Sequence, residues 1–266
     1  MARYFEEARQ HRCANTSGSP VSSLPCSLSA WVWYASTPAG DRYFVANDTT
    51  TSYMWLGVST TPRLSLFLDG GTATISLSHT RNSVAKTWYH MVGVCASSTD
   101  HKLYVDGELV DTDTTDIGSW SANRLYVVAP GGEGSMYHTC AVADFAVYNM
   151  ALTAADVKRL STGRFRPPDV QRGNLKALFD LNRGEANTKE RNHVVQSTNY
   201  ALTYANSGGV SNAVWFPDPP RLLREPQGIW YLPEAGTPLG DGQPFHMRRA
   251  GIPGMRTFSN PAGRGW

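Results

Sequence analysis

Hydrophobic residues recur along this chain with a period of two far more often than with the period of a helix. In Cys26–Tyr34, Leu28, Ala30, Val32 and Tyr34 alternate with Trp31 and Trp33, which predicts a strand with both faces occupied. Residues 43–46 and Tyr53–Val58 read as two more strands. Leu64, Leu66 and Leu68 form a stripe, Asp69-Gly70-Gly71 turns the chain, and Ala73, Ile75 and Leu77 run back with Thr72, Thr74 and Ser76 on the wet side. That is a hairpin. Residues 87–96 are the most apolar strand, and residues 101–105 and 108–110 flank an Asp106-Gly107 turn, a strong hairpin signal. Segments 125–129, 136–148, 174–181, 200–204 and 214–216 bring the total to roughly a dozen short strands. A single helix is readable. Thr153 and Asp156 have capping-box spacing, Val157 and Leu160 give one apolar face, and Gly163 stands where a C-terminal cap belongs.

Both ends of the chain break this pattern. Residues 1–24 read as an N-terminal arm. Residues 217–266 hold nine prolines and eight glycines, too many for a regular element of useful length, and read as an extended C-terminal arm. Many short strands, frequent turns and one small helix define an all-β sandwich over residues 25–216.

Four segments carry a family likeness: Ala30-Trp31-Val32, Trp88-Tyr89-His90, Leu103-Tyr104-Val105-Asp106-Gly107, and the run 143–157 that leads from Ala143-Asp144-Phe145 into the helix. In this order and at these spacings they resemble the laminin-G-like, concanavalin A-like jelly-roll superfamily across residues 26–163. The resemblance implies a jelly-roll sandwich. Residues 174–181 resemble the closing strand of such sandwiches in tailed-phage virion proteins, which implies a structural role on a capsid.

Charge adds a second asymmetry. Residues 26–157 carry a net −6 and residues 158–266 a net +7, within a chain whose total is +2. Such a chain suits docking of its basic half onto an acidic surface. The arginines stand singly among prolines, which argues against nucleic acid. No run approaches the roughly 18 apolar residues of a membrane span. Glu6 and Glu7 fall where a secretory leader needs its apolar stretch, so synthesis in a host cytoplasm is expected. Cys13, Cys26, Cys95 and Cys140 have no zinc-ligand spacing, and free thiols are expected, with a Cys13–Cys26 pairing left open.

The fold hosts hydrolases, lectins and structural modules, so function depends on sites. Concanavalin A-like glycosidases carry closely spaced acids of the form E-x-D-x-x-E, and this chain has none. The nearest cluster, Asp111, Asp113 and Asp116, reads as a hydrophilic loop, and the chain reads as a non-enzyme. Calcium, which relatives hold through loop oxygens, has weak candidate ligands in Asp48 and in Asp111, Asp113 and Asp116; no metal or other cofactor is expected. His90 and the strand residues Trp31, Trp33, Trp55 and Trp88 read as core. Trp120 and Tyr137, beside loops, are the candidate stacking surfaces for a host-surface glycan. In the C-terminal arm, Arg221, Arg224, Arg248, Arg249, Arg256 and Arg264 are candidates for pairing with acidic surface, and Trp230, Tyr231, Phe245, Phe258 and Trp266 for filling apolar grooves. These readings converge on a homo-oligomeric decoration protein of a virion surface, clamped to the major capsid protein by its arms, with a carbohydrate-binding or adhesin module as the alternative.

Overall fold

The structure is a computed structural model and describes residues 2–128, 137–181, 189–190, 192–194, 201–205 and 215–216. The C-terminal arm and all its candidate contact residues lie outside the described residues. In chain order the first strands are β1 (Ala2–Phe5), β2 (Arg12–Asn15), β3 (Cys26–Tyr34), β4 (Arg42–Asp48), β5 (Tyr53–Val58), β6 (Leu64–Asp69) and β7 (Thr74–Ser78). They are followed by β8 (Tyr89–Ser97), β9 (Asp100–Val105), β10 (Glu108–Asp113), β11 (Arg124–Val127) and β12 (Cys140–Tyr148). After the helix α1 (Ala154–Ser161) come β13 (Leu175–Phe179), β14 (Lys189–Glu190), β15 (Leu202–Ala205) and β16 (Trp215–Phe216). The strands form two antiparallel sheets. Sheet A runs β10-β9-β8-β3-β12-β1-β16, and sheet B runs β14-β15-β2-β11-β4-β5-β6-β7.

The period-two pattern explains how the sheets meet. Leu28, Ala30, Val32 and Tyr34 of β3 point inward with Met91 and Cys95 of β8, against Val45, Met54, Leu56, Leu66 and Leu68 of sheet B. Gly93 faces the same interior opposite Leu28. A Cβ on Gly93 would lie 2.7 Å from Leu66 Cδ1 and 3.1 Å from Met54 Cε, so the missing side chain lets the sheets approach closely. On the outside of sheet A, Val157 and Leu160 of α1 pack with Val92, Val94 and Tyr104. The helix starts where its cap predicts: Asp156 N donates to Thr153 Oγ1 at 3.2 Å, and Thr153 N donates to the Asp156 carboxylate at 3.2 Å. Gly163, at φ +65°, follows the C-cap.

The N-terminal segment departs from its expected reading as an arm. Its strand β1 lies between β12 and β16, and β2 lies between β11 and β15. Each is only four residues long, too short to show alternation, and each places one apolar side chain in the core, Phe5 and Cys13. Arg3, buried on β1, stands 3.9 Å from Glu190 of β14, so the start of the chain is tied to a late strand of the other sheet. Strand β12 is shared: β3 lines one edge, while the other edge pairs with β1 over 140–142 and β13 over 145–148. At the changeover Asp144 adopts φ +48° beside a bulge. All four cysteines are buried and free, with Cys13 on sheet B and Cys26 on sheet A.

Gly93→Ala overfills the narrowest part of this interior. It is expected to cost about 1–3 kcal/mol and to lower Tm by several degrees, measured by thermal unfolding.

Candidate binding face

The residues singled out from sequence for binding do not come together. Trp120 is 4% exposed and Tyr137 is 9% exposed, and both belong to the main core. The stretch holding Trp120 is not a projecting loop: Ile117 N donates to Ser98 O at 2.9 Å and Thr72 N donates to Ile117 O at 3.1 Å, folding it against the sandwich. Neither ring offers a face to a sugar, which corrects that expectation. The aspartates after the Asp106-Gly107 hairpin cap backbone instead of converging. Asp111 accepts from Ser78 N at 2.8 Å, Asp113 from Thr115 N at 2.6 Å and Asp116 from Gly118 N at 2.9 Å. The bonds to Thr115 and Gly118 hold the Asp113 and Asp116 carboxyls below the usual range. Among the described residues no three His, Cys, Asp or Glu side chains are grouped to hold a metal.

Sheet A's outer face carries α1 over one part and partly buried Tyr4, Trp33 and Trp88 around Trp31 over another, with a small cavity lined by Ser29, Trp31, His90 and Asp144 between them and the residues after α1. Ser29 Oγ lies 3.1 Å from His90 Nε2, a spacing that suits a nucleophile and base. Both residues are buried beneath Trp31, whose ring centroid is 5.1 Å from that of His90. Burial pushes the imidazole down to about 3, so it is neutral at physiological pH. Among the described residues its Nδ1 has no hydrogen-bond partner and no acid orients it as a catalytic triad requires.

Sheet B's outer face is different, and its register sets out what it carries. Tyr126, Ala46, Trp55, Phe67 and Ser76 lie directly opposite one another across β11, β4, β5, β6 and β7. The neighbouring row on the same face is Arg124, Asp48, Tyr53, Asp69 and Thr74. An aromatic row therefore runs beside a charged and hydroxyl-bearing one. Tyr43 joins them because a bulge between Tyr43 and Val45 turns Val45 inward with Phe44 and leaves Tyr43 outside. Tyr53 stacks on Trp55 with centroids 3.9 Å apart, Tyr43 closes on Trp55 at 4.4 Å, and Phe67 meets Tyr43 edge-on at 5.3 Å.

The polar row is ordered by the same packing. Arg124 Nε donates to Asp48 Oδ1 at 2.8 Å, Trp55 Nε1 donates to Asp48 Oδ2 at 3.3 Å, and the Arg124 guanidinium lies 5.6 Å from the Tyr126 ring centre. Asp69 accepts from Gly71 N and from the Thr74 hydroxyl, each at 2.6 Å. Of the rings only Trp55 and Tyr53 are partly exposed, Tyr43, Phe67 and Tyr126 being buried; Asp69 and Arg124 are partly exposed, and Thr74 and Ser76 are open to solvent. Asp48, 1% exposed, thus acts as a buried brace between Arg124 and Trp55. Sequence reasoning took Trp55 for core. The usable signal was the phase of β5, because Met54, Leu56 and Val58 fill the inner face and leave Tyr53 and Trp55 outside.

The sequence profile of the Laminin_G_3 family, within the concanavalin A-like lectin/glucanases superfamily, matches residues 10–158, more than half of the chain. The chain belongs to this family. No curated protein matches it by sequence. Among solved structures it resembles a putative carbohydrate binding protein from Bacteroides ovatus, with TM-score 0.58 and 13% identity, over 78% of this chain and 58% of that one. It also resembles a heptameric SAP-like pentraxin from Limulus polyphemus, with TM-score 0.52 and 15% identity, over 62% of this chain and 84% of that one. At these identities the likeness is one of fold.

Burial lifts the Asp48 carboxyl from 3.8 to about 6, with Arg124 opposing the rise. The folded state therefore binds this proton more tightly than the unfolded chain, and the ionised form weakens the fold at neutral pH. Relative to Asp48→Asn, the wild type should gain stability as pH falls from about 6 toward 4, by on the order of 2 kcal/mol. Denaturant unfolding of both proteins across that window checks it.

Proposed function

We propose that this chain is a carbohydrate-binding module that does no chemistry on its ligand and engages it across the outer face of sheet B. The observation that carries this reading is the pairing of two rows, with partly exposed Tyr53 and Trp55 flanked by Arg124 on one side and Asp69, Thr74 and Ser76 on the other. Sugars present apolar C–H patches next to vicinal hydroxyls. The aromatic ridge covers the first, and charged or hydroxyl groups hydrogen-bond the second. The fold shared with the Bacteroides ovatus protein agrees with this reading.

The asymmetric charge supports a second reading about where the module sits. The basic, proline-studded residues 217–266 suit attachment to an acidic assembly surface, such as the major capsid protein of a tailed phage. On such a particle the sheet B face would be the part that meets a host-surface glycan.

A glycan array separates binding from its absence. The wild type should bind a defined set of oligosaccharides. Trp55→Ala and Arg124→Ala should each weaken that binding at least tenfold, roughly 1.4 kcal/mol or more, with circular dichroism unchanged. Wild-type protein that binds no glycan, or Trp55→Ala protein that binds as well as wild type, contradicts the proposal.

A further inference from the structure

The register of sheet A sets two buried thiols face to face. Cys26 at the start of β3 lies directly opposite Cys95 near the end of β8. Both belong to the inner face, beside Leu28 and Met91 of the same two strands. Directly opposed residues on antiparallel strands have Cα atoms about 4.5–5.5 Å apart, and a disulfide accepts about 4.4–6.8 Å. The backbone already meets the requirement. By contrast, Cys13 and Cys140 sit on other strands, neither opposite a cysteine.

We infer that Cys26 and Cys95 are a poised cross-strand pair that closes to a disulfide when the folded protein meets a disulfide oxidant such as oxidised glutathione. Local chemistry supplies the proton path. His101 Nε2 faces two carbonyl oxygens, Ser98 O at 3.0 Å and Thr115 O at 3.2 Å, so Nε2 carries the hydrogen and Nδ1 is the free acceptor. Nδ1 lies 3.1 Å from Cys95 Sγ and is placed to take the thiol proton. Cys26 Sγ, packed in the core, accepts a long contact from Asn47 Nδ2, at 3.9 Å.

The steps balance. One cysteine thiolate attacks the glutathione disulfide, forming a mixed disulfide and releasing one glutathione thiolate. The second protein thiolate attacks the protein sulfur of that mixed disulfide and releases the second glutathione. The two cysteines lose two electrons and two protons, and both end on two molecules of reduced glutathione. Burial pushes the Cys95 thiol up to about 12 and raises that of Cys26 as well, so closure is slow and proceeds through local opening at the strand ends. The bond would tie β3 to β8 and enclose all of β4–β7 in a covalent loop. A stapled form would therefore mark chains that had reached an oxidising environment.

The test is incubation of the native full-length protein with excess oxidised glutathione, followed by intact mass and a non-reducing peptide map. The expected result is loss of two hydrogens, one linked peptide pair containing Cys26 and Cys95, and a Tm higher by on the order of 5–10 °C that returns to its starting value with reductant. Cys13→Ser and Cys140→Ser proteins should still form the link, and His101→Gln should form it more slowly. A mass that stays unchanged, glutathione adducts that never resolve, or a link involving Cys13 or Cys140 would overturn the inference. The wild-type peptide map decides this even if a variant fails to fold.

Discussion

The structure depends on the pleat of sheet B staying in phase. Met54, Leu56, Leu66, Leu68, Leu125 and Val127 are sealed in the sandwich because the residues between them point the other way. Slipping β5 by one residue would carry Tyr53 and Trp55 into the core and push Met54 and Leu56 into water. The cost of that exchange pins the register. The register in turn assembles the outer rows, because Trp55 meets Phe67 and Asp48 meets Arg124 only when every strand from β11 to β7 keeps its place. Burial on one face thus sets the order of rings and polar groups on the other.

The two outer faces are used differently. Sheet A covers part of its face with α1, and elsewhere packs Ala2, Ala141 and Ala143 around Trp31 with partly buried Tyr4, Trp33 and Trp88. One of its irregularities, Asp144 at φ +48°, sits where β12 changes partner and is held by Arg166, which also reaches Asp180. That arrangement organises a junction between strands. Sheet B instead lines up rings, an ion pair and hydroxyls, and no described helix lies on it. The interior between the sheets is thin enough to need Gly93, and it also holds the opposed Cys26 and Cys95.

Much of the fold was legible because long strands announce themselves. Cys26–Tyr34 and Tyr53–Val58 alternate over enough residues to predict their own limits, and the Thr153 cap marks α1. The strands β1 and β2 were not legible. Four residues carry no usable periodicity, and their pairing with β12, β16, β11 and β15 is set by tertiary contacts far away in sequence. The exposure of two tryptophans was hard to read from sequence for a related reason. Loop context made Trp120 look exposed and strand context made Trp55 look buried, whereas Trp120 folds back into the main core and Trp55 lies on the outer side of β5. Composition cannot show that phase, but the run of inward Met54, Leu56 and Val58 does.

The most direct test of the central claim is a fluorine NMR titration of protein labelled with 5-fluorotryptophan, using oligosaccharides that bind. Signals are assigned by single Trp→Phe replacements. The account predicts that the Trp55 resonance moves with saturation while those of Trp31, buried on the outer side of sheet A, and Trp120, buried in the main core, stay in place. A titration in which Trp55 is silent and Trp31 or Trp120 responds would contradict it.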